Sequence, residues 1–106
     1  MHVLVVTFNL NGLTDAQYRA GCEAEAEAFA NIPGCISKVW IGDALTNTYG
    51  GVYTFTDESA VEAYRRSDLF KGMLADPTLA NLTGNAFDVL DGPTRVTTRR
   101  PVAELA

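Results

Sequence analysis

The sequence predicts an α+β fold of the ferredoxin-like kind, β-α-β-β-α-β, with an antiparallel four-stranded sheet and two helices on one of its faces. Three observations lead there. Four short runs rich in β-branched or aromatic residues read as strands: His2–Phe8, Cys35–Ile41, Gly50–Phe55 and Asn85–Leu90. Between them lie two helical stretches with recognisable starts, at Thr14 and Thr56. The first two strands carry large apolar side chains on both faces, whereas helices on one side of a sheet cover only that side. The uncovered face calls for a second copy of the chain, so the expected assembly is a homodimer, two sheets face to face in a dimeric α+β barrel. At 106 residues the chain is expected to be one domain, residues 1–106, with 93–106 as a tail available to pack on the partner subunit.

Each element has its own warrant. In strand one, Leu4, Val6 and Phe8 share one face and Val3 and Val5 the other. Thr14 and Gln17 have capping-box spacing, and Asp15 suits the positive end of the helix that follows. Ala and Glu favour helix through Ala30, with Tyr18, Cys22, Ala26 and Phe29 as its apolar stripe. Pro33-Gly34 ends it. Counting by twos along strand two puts Cys35, Ser37, Val39 and Ile41 on one face and Ile36, Lys38 and Trp40 on the other. Parity leaves open which set looks towards the helices. The polar run Gly42–Tyr49 reads as a loop. In strand three Tyr53 and Phe55 oppose Val52 and Thr54. Thr56 is the expected N-cap of the second helix, and Ser67-Asp68 that of a short helix Leu69–Ala75, stopped by Asp76-Pro77. Residues 78–83 carry no clear pattern. After strand four, Asp91-Gly92-Pro93 reads as a turn and Thr94–Thr98 as a candidate fifth strand, on this chain or on its partner.

Charge and composition narrow the function. The net charge of −5 argues against a nucleic-acid binder, which normally presents a basic field. Arg95, Arg99 and Arg100 are the exception, a solvated tail or a contact for a partner or an acidic ligand. The apolar run at the N-terminus is too short for a membrane span or a signal peptide. The expected location is therefore the cytoplasm, with no membrane partner and with Cys22 and Cys35 as reduced thiols.

Several blocks then carry a resemblance: Gly-Cys-Ile-Ser-Lys-Val-Trp at 34–40, Gly-Gly-Val-Tyr-Thr-Phe-Thr-Asp-Glu at 50–58, Ala63-Tyr64, and Phe87-Asp88-Val89. Together they resemble the YdhR-like mono-oxygenase family, over most of the chain. The resemblance implies a dimeric α+β barrel related in fold to the cofactor-free mono-oxygenases of aromatic polyketide biosynthesis. This chain departs from the pattern at Ser67–Asn81 and in its arginine-rich tail.

The chemistry compatible with these residues needs no cofactor. His2 is the one histidine, so no metal-ligand cluster and no helix-borne haem ligand is expected. Gly50-Gly51 enters a strand rather than a helix, which gives flavin binding no support. An electron-rich phenol or enol can itself reduce dioxygen once deprotonated, given a dry pocket, a base and donors for the oxyanion. Lys38, Trp40, Tyr53 and Asp88 are the candidate catalytic residues: Lys38 or Asp88 as base, the indole and phenol as donors and walls. Asn9, Tyr64 and Phe70 are the candidate substrate-binding residues, Asn9 to orient a carbonyl and the rings as walls. Against this stand plainer readings: the aromatics as core, Lys38 as a surface residue with a buried stem, and Asp88 paired with an arginine. Two further functions use the same pocket, an isomerase or cyclase and a non-catalytic binding module for a small hydrophobic ligand.

Overall fold

A computed structural model describes residues 1–98. The elements run β1 (His2–Leu10), α1 (Asp15–Ala30), β2 (Cys35–Asp43), β3 (Thr48–Phe55), α2 (Glu58–Arg65), α3 (Asp68–Ala75), β4 (Leu79–Asp88) and α4 (Asp91–Thr97). The strands form one antiparallel sheet in the order β2-β3-β1-β4. This is the expected ferredoxin-like arrangement.

One face of the sheet makes the core. Leu4, Val6, Phe8 and Leu10 of β1 and Tyr53 and Phe55 of β3 are buried there against Phe29 of α1, Val61 and Tyr64 of α2 and Phe70 of α3. The other face has no helix over most of its area. Val39 remains 44% exposed and Phe87 57% exposed, with Val3, Val5 and Val52 half-buried beside them. Among the described helices none is long and apolar enough to cross a membrane.

The helix starts follow from their caps. The Thr14 hydroxyl accepts from the Gln17 N–H while the Gln17 side chain accepts from the Thr14 N–H, a complete capping box. Ser67 caps α3 by accepting from the Phe70 N–H. At α2 the cap is Asp57, not Thr56: its carboxylate accepts from the Ala60 N–H and the Ser59 hydroxyl. A charged acceptor at the helix N-terminus outcompetes a hydroxyl one residue earlier.

Three expectations need correction. First, a bulge between Cys35 and Ser37 leaves Ile36 as the extra residue, so Cys35 pairs with Phe55 on the core face. Cys35 therefore joins Lys38 and Trp40 rather than Val39 and Ile41, and Ile36 stands 56% exposed. Second, β4 starts at Leu79 and ends at Asp88, taking in the stretch that carried no pattern. Backbone pairing with the nine-residue β1 supplies what side-chain propensity lacks. Asn81, at φ 56°, takes the left-handed conformation where the register shifts opposite Thr7 and Asn9. Third, residues 91–97 are helix α4, not a turn and a strand. Pro93 lies in the first turn, where its missing N–H costs no hydrogen bond. The Thr97 and Thr98 hydroxyls bond back to the carbonyls of Pro93 and Thr94. Arg99 and Arg100 lie outside the described residues.

Candidate active site

Of the three helices over the core face, α1 is the most loosely packed. Of its expected stripe only Phe29 is buried; Tyr18 and Cys22 are half-buried and Ala26 is exposed. The space beneath it is a cavity of about 220 Å³ between α1, the end of α3 and the inner face of β2 and β3. Tyr18, Cys22 and Phe29 line it from α1, Lys38 and Trp40 from β2, Tyr53 from β3 and Met73 from α3. Gln17, Glu25, Asp76 and Thr78 add polar atoms to the lining. An open groove along α1 and the β2 edge shares Tyr18, Cys22 and Trp40 with the cavity.

Lys38 points inward because it pairs with Tyr53, a core residue, across the β2–β3 ladder. Its stem crosses the bare backbone of Gly51, where an added Cβ would meet the Lys38 Cε at 2.6 Å. The ammonium comes to rest 3.4 Å from the Trp40 ring centre and 3.5 Å from that of Phe29, with Tyr53 at 4.8 Å. The negative ring faces compensate part of the lost hydration. Burial lowers the Lys38 pKa to about 8, against the opposing influence of Cys22, Cys35 and Glu25 nearby. The neighbouring Gly50 is needed for a different reason: a Cβ there would collide with the Val6 carbonyl oxygen.

The phenols answer to each other first. The Tyr53 and Tyr64 hydroxyls lie 3.0 Å apart, and the Tyr64 hydroxyl donates to the Met73 sulfur at 3.7 Å. Burial pushes the Tyr53 phenol far up, reinforced by Tyr64, and raises Tyr64 to about 12. Both are neutral donors at any ordinary pH. Burial also raises Tyr18, helped by Cys22. The Tyr49 hydroxyl donates to Asp15, which Arg19 also holds at 2.8 Å, tying the start of α1 to β3 beside the open groove.

Of the sequence candidates, Lys38, Trp40 and Tyr53 are brought together in the cavity. Tyr64 stands behind Tyr53, and Phe70 packs at a tilt against Tyr64 with ring centres 5.2 Å apart, in the core rather than on the wall. Asp88 is not among the residues around the cavity. It sits on β4, the opposite edge of the sheet from β2, and pairs with His2 at 2.8 Å rather than with an arginine. Asn9 lies at the strand end, donating to the Asn47 carbonyl and accepting from Asn81. Sequence reasoning missed Phe29, Cys22, Met73 and Gly51 as parts of the site. The adjacent glycines were the one available signal, since a glycine inside a strand marks a close approach. Among the described residues no three His, Cys, Asp or Glu side chains converge to hold a metal ion.

Comparison with known proteins starts from the sequence, which matches the family described as "Putative mono-oxygenase ydhR" over residues 3–100. The chain belongs to this YdhR-like family. No curated protein matches the sequence. Solved structures share the fold at low identity. A protein of unknown function from Nitrosomonas europaea, NE2512, superposes with a TM-score of 0.72 at 14% identity, covering 95% of this chain and 94% of its own. A mutant of SnoaB, a cofactor-independent oxygenase from Streptomyces nogalater, gives 0.65 at 20% identity, covering 84% and 92%. A mutant of MhuD with two manganese protoporphyrin IX bound per active site gives 0.67 at 15% identity, covering 85% and 95%. Identities this low speak for the YdhR-like fold alone.

Proposed function

We propose that the protein is a mono-oxygenase that works without flavin, haem or metal on a small aromatic phenol or enol. The observation that carries this reading is the Lys38 ammonium, placed in an aromatic cavity and tuned by burial to about pH 8. In its neutral form the amine takes a proton from the bound phenol or enol; the ammonium it becomes then stabilises the resulting oxyanion. The deprotonated substrate supplies the electrons to dioxygen. At the reacting carbon of the keto tautomer a CH₂ becomes C=O (in the phenol form the two hydrogens are that carbon's C–H and the O–H): one oxygen atom enters the product and the other leaves as water, so no external reductant is required. Trp40, Phe29 and Tyr53 hold the ring flat and keep bulk water away. Of the two bases the sequence offers, Lys38 is the one at the cavity, since Asp88 stands at the other edge of the sheet.

The working unit in this proposal is a homodimer joined through the open sheet face. Val3, Val5, Val39, Ile41, Val52 and Phe87 give that face an apolar surface which a second sheet would cover. Light scattering at micromolar concentration should give twice the chain mass; a stable monomer would remove this part of the proposal.

Oxygen uptake tests the reaction. With a panel of naphthols and hydroxyanthracenes, and no added flavin or metal, at least one should be consumed with one dioxygen used, and one oxygen atom gained, per quinone formed. The pairing of the Tyr53 and Tyr64 hydroxyls with each other favours a second reading, a binding module in which these phenols only build the wall. Tight ligand binding with no uptake would decide for that module.

A further inference from the structure

We propose that the cavity selects a planar aromatic anion of one or two fused rings, whose carboxylate or phenolate oxygen docks on the Lys38 ammonium. This narrows the substrate class and rests on reading the cavity as the substrate site. Three observations converge on it.

The first is size. An apolar cavity of about 150 Å³ takes one benzene. At about 220 Å³ this cavity holds one ring with room to spare or two fused rings closely. Three fused rings overfill it.

The second is charge. The two ion pairs among the described residues, His2–Asp88 and Arg19–Asp15, leave Lys38 without a carboxylate. Ring faces attract an ammonium but do not replace the oxygen acceptors its N–H groups would meet in water. An anionic ligand oxygen provides that acceptor where solvent screening is weak. Glu25 and Asp76 line the same cavity. They repel added negative charge, so a single charge carried inward to Lys38 is favoured over a dianion.

The third is shape. Trp40 and Phe29 meet edge to face at 5.0 Å, and Tyr18 and Tyr53 complete the wall. Such a lining favours flat π partners over aliphatic acids.

The test is calorimetric titration of the full chain under argon with ligands that cannot be oxidised: 2-naphthoate, the neutral 2-naphthamide, and anthracene-2-carboxylate. The acid should bind about tenfold or more tighter than the amide, as one charge-assisted hydrogen bond would give. Anthracene-2-carboxylate should bind about tenfold or more weaker than 2-naphthoate, because overpacking is penalised. In Lys38→Met the acid should fall to within about twofold of the amide, with amide binding kept. Equal binding of acid and amide, an unchanged ratio in Lys38→Met, equal binding of the three-ring acid, or no binding at all would each overturn the proposal.

Should Lys38→Met fail to fold, the wild-type pH profile decides. The groups around Lys38 are Tyr18, Cys22 and Glu25 on α1, Cys35 on β2, Tyr53 on β3 and Asp76 after α3. Acid affinity should fall as pH rises through about 8 while amide affinity stays level; a level acid profile overturns the proposal. Failure of the oxygenase reading looks different: naphthoate binds as expected, but no phenol consumes oxygen. Conversely, neutral naphthols oxidised with no preference for anions would overturn this inference alone.

Discussion

The two halves of the helical layer are packed differently. Under α2 and α3 four rings interlock: Tyr53 lies 5.1 Å from Tyr64, Phe55 5.7 Å from Tyr64, and Phe70 5.2 Å from Tyr64. Phe55 and Val61 there are 0% exposed. Under α1 only Phe29 is buried, and the space left over is the cavity. Both helices start with good caps, so local helix signals do not set them apart. What differs is the stripe. Tyr64 and Val61 fill their half with large groups, whereas α1 brings Gly21 and Cys22 to the cavity, residues too small to close the gap. Stability is concentrated in the first half and room for a ligand in the second.

The widest separation between the halves should come from truncation. Phe55→Ala should cost about 3–5 kcal/mol in urea unfolding, while Ala26→Ser on α1 should stay within about 0.5 kcal/mol. Comparable losses at both positions would dissolve the distinction.

Next in size is Gly51→Ala. The added methyl would meet the Lys38 Cε at 2.6 Å, so the flexible lysine must leave its position between the rings. Turnover or ligand affinity should drop about tenfold or more, with a stability loss of about 1–3 kcal/mol at most. Retained function with an unchanged pH profile would separate Lys38 from the site.

A smaller, signed effect belongs to Lys38 itself. Its pKa is lowered from 10.5 to about 8 on folding, so between these values the unfolded chain binds more protons than the folded one. Stability should therefore rise from Lys38 as pH climbs from about 8 to 10.5, and the cost of burying its charge is complete below that window. Thermal melts of wild type and Lys38→Met across pH 7–10 should converge as pH increases. A constant difference would mean that the ammonium is not desolvated. For a neutral phenol substrate the same titration should make kcat/KM rise towards a plateau above about pH 8, since the amine must be neutral to take its proton.

The smallest effect is expected far from both halves. Asp88→Asn removes one side of an ion pair whose carboxylate is 78% exposed. Stability should move by less than about 0.5 kcal/mol and turnover by less than about twofold. A large loss of turnover would restore Asp88 as a candidate base.

Much of this architecture was legible one residue at a time. Alternation put Leu4, Val6 and Phe8 together, and Tyr53 with Phe55, because a strand's two faces follow from local geometry. The capping box at Thr14 was equally local. Parity also put Lys38 and Trp40 on one face, and burial identifies that face as the inner one. Cys35 was misplaced because a bulge breaks period two without leaving a mark in residue type. The extent of β4 was missed because β1 dictates it from far away in the chain. Phe29 went unrecognised as a cation partner, since its closeness to Lys38 depends on how α1 lies across β2. Asp88 and Asn9 were acceptable by residue type and excluded from the cavity only by the order of strands.

The bulge at Ile36 divides strand β2 into two parts with different tolerance for change in length. Between Ala30 and Ser37 the chain contains a turn and then a residue outside the pairing register, so a residue gained or lost there can be absorbed before the ladder begins. Beyond Ser37 no such slack exists. A single insertion between Ser37 and Lys38 would rotate the ammonium and the indole to the outer face and turn Val39 inward, emptying the cavity of its cation while every strand remained a strand. The chemistry of the site thus hangs on reading frame within a strand as much as on residue identity.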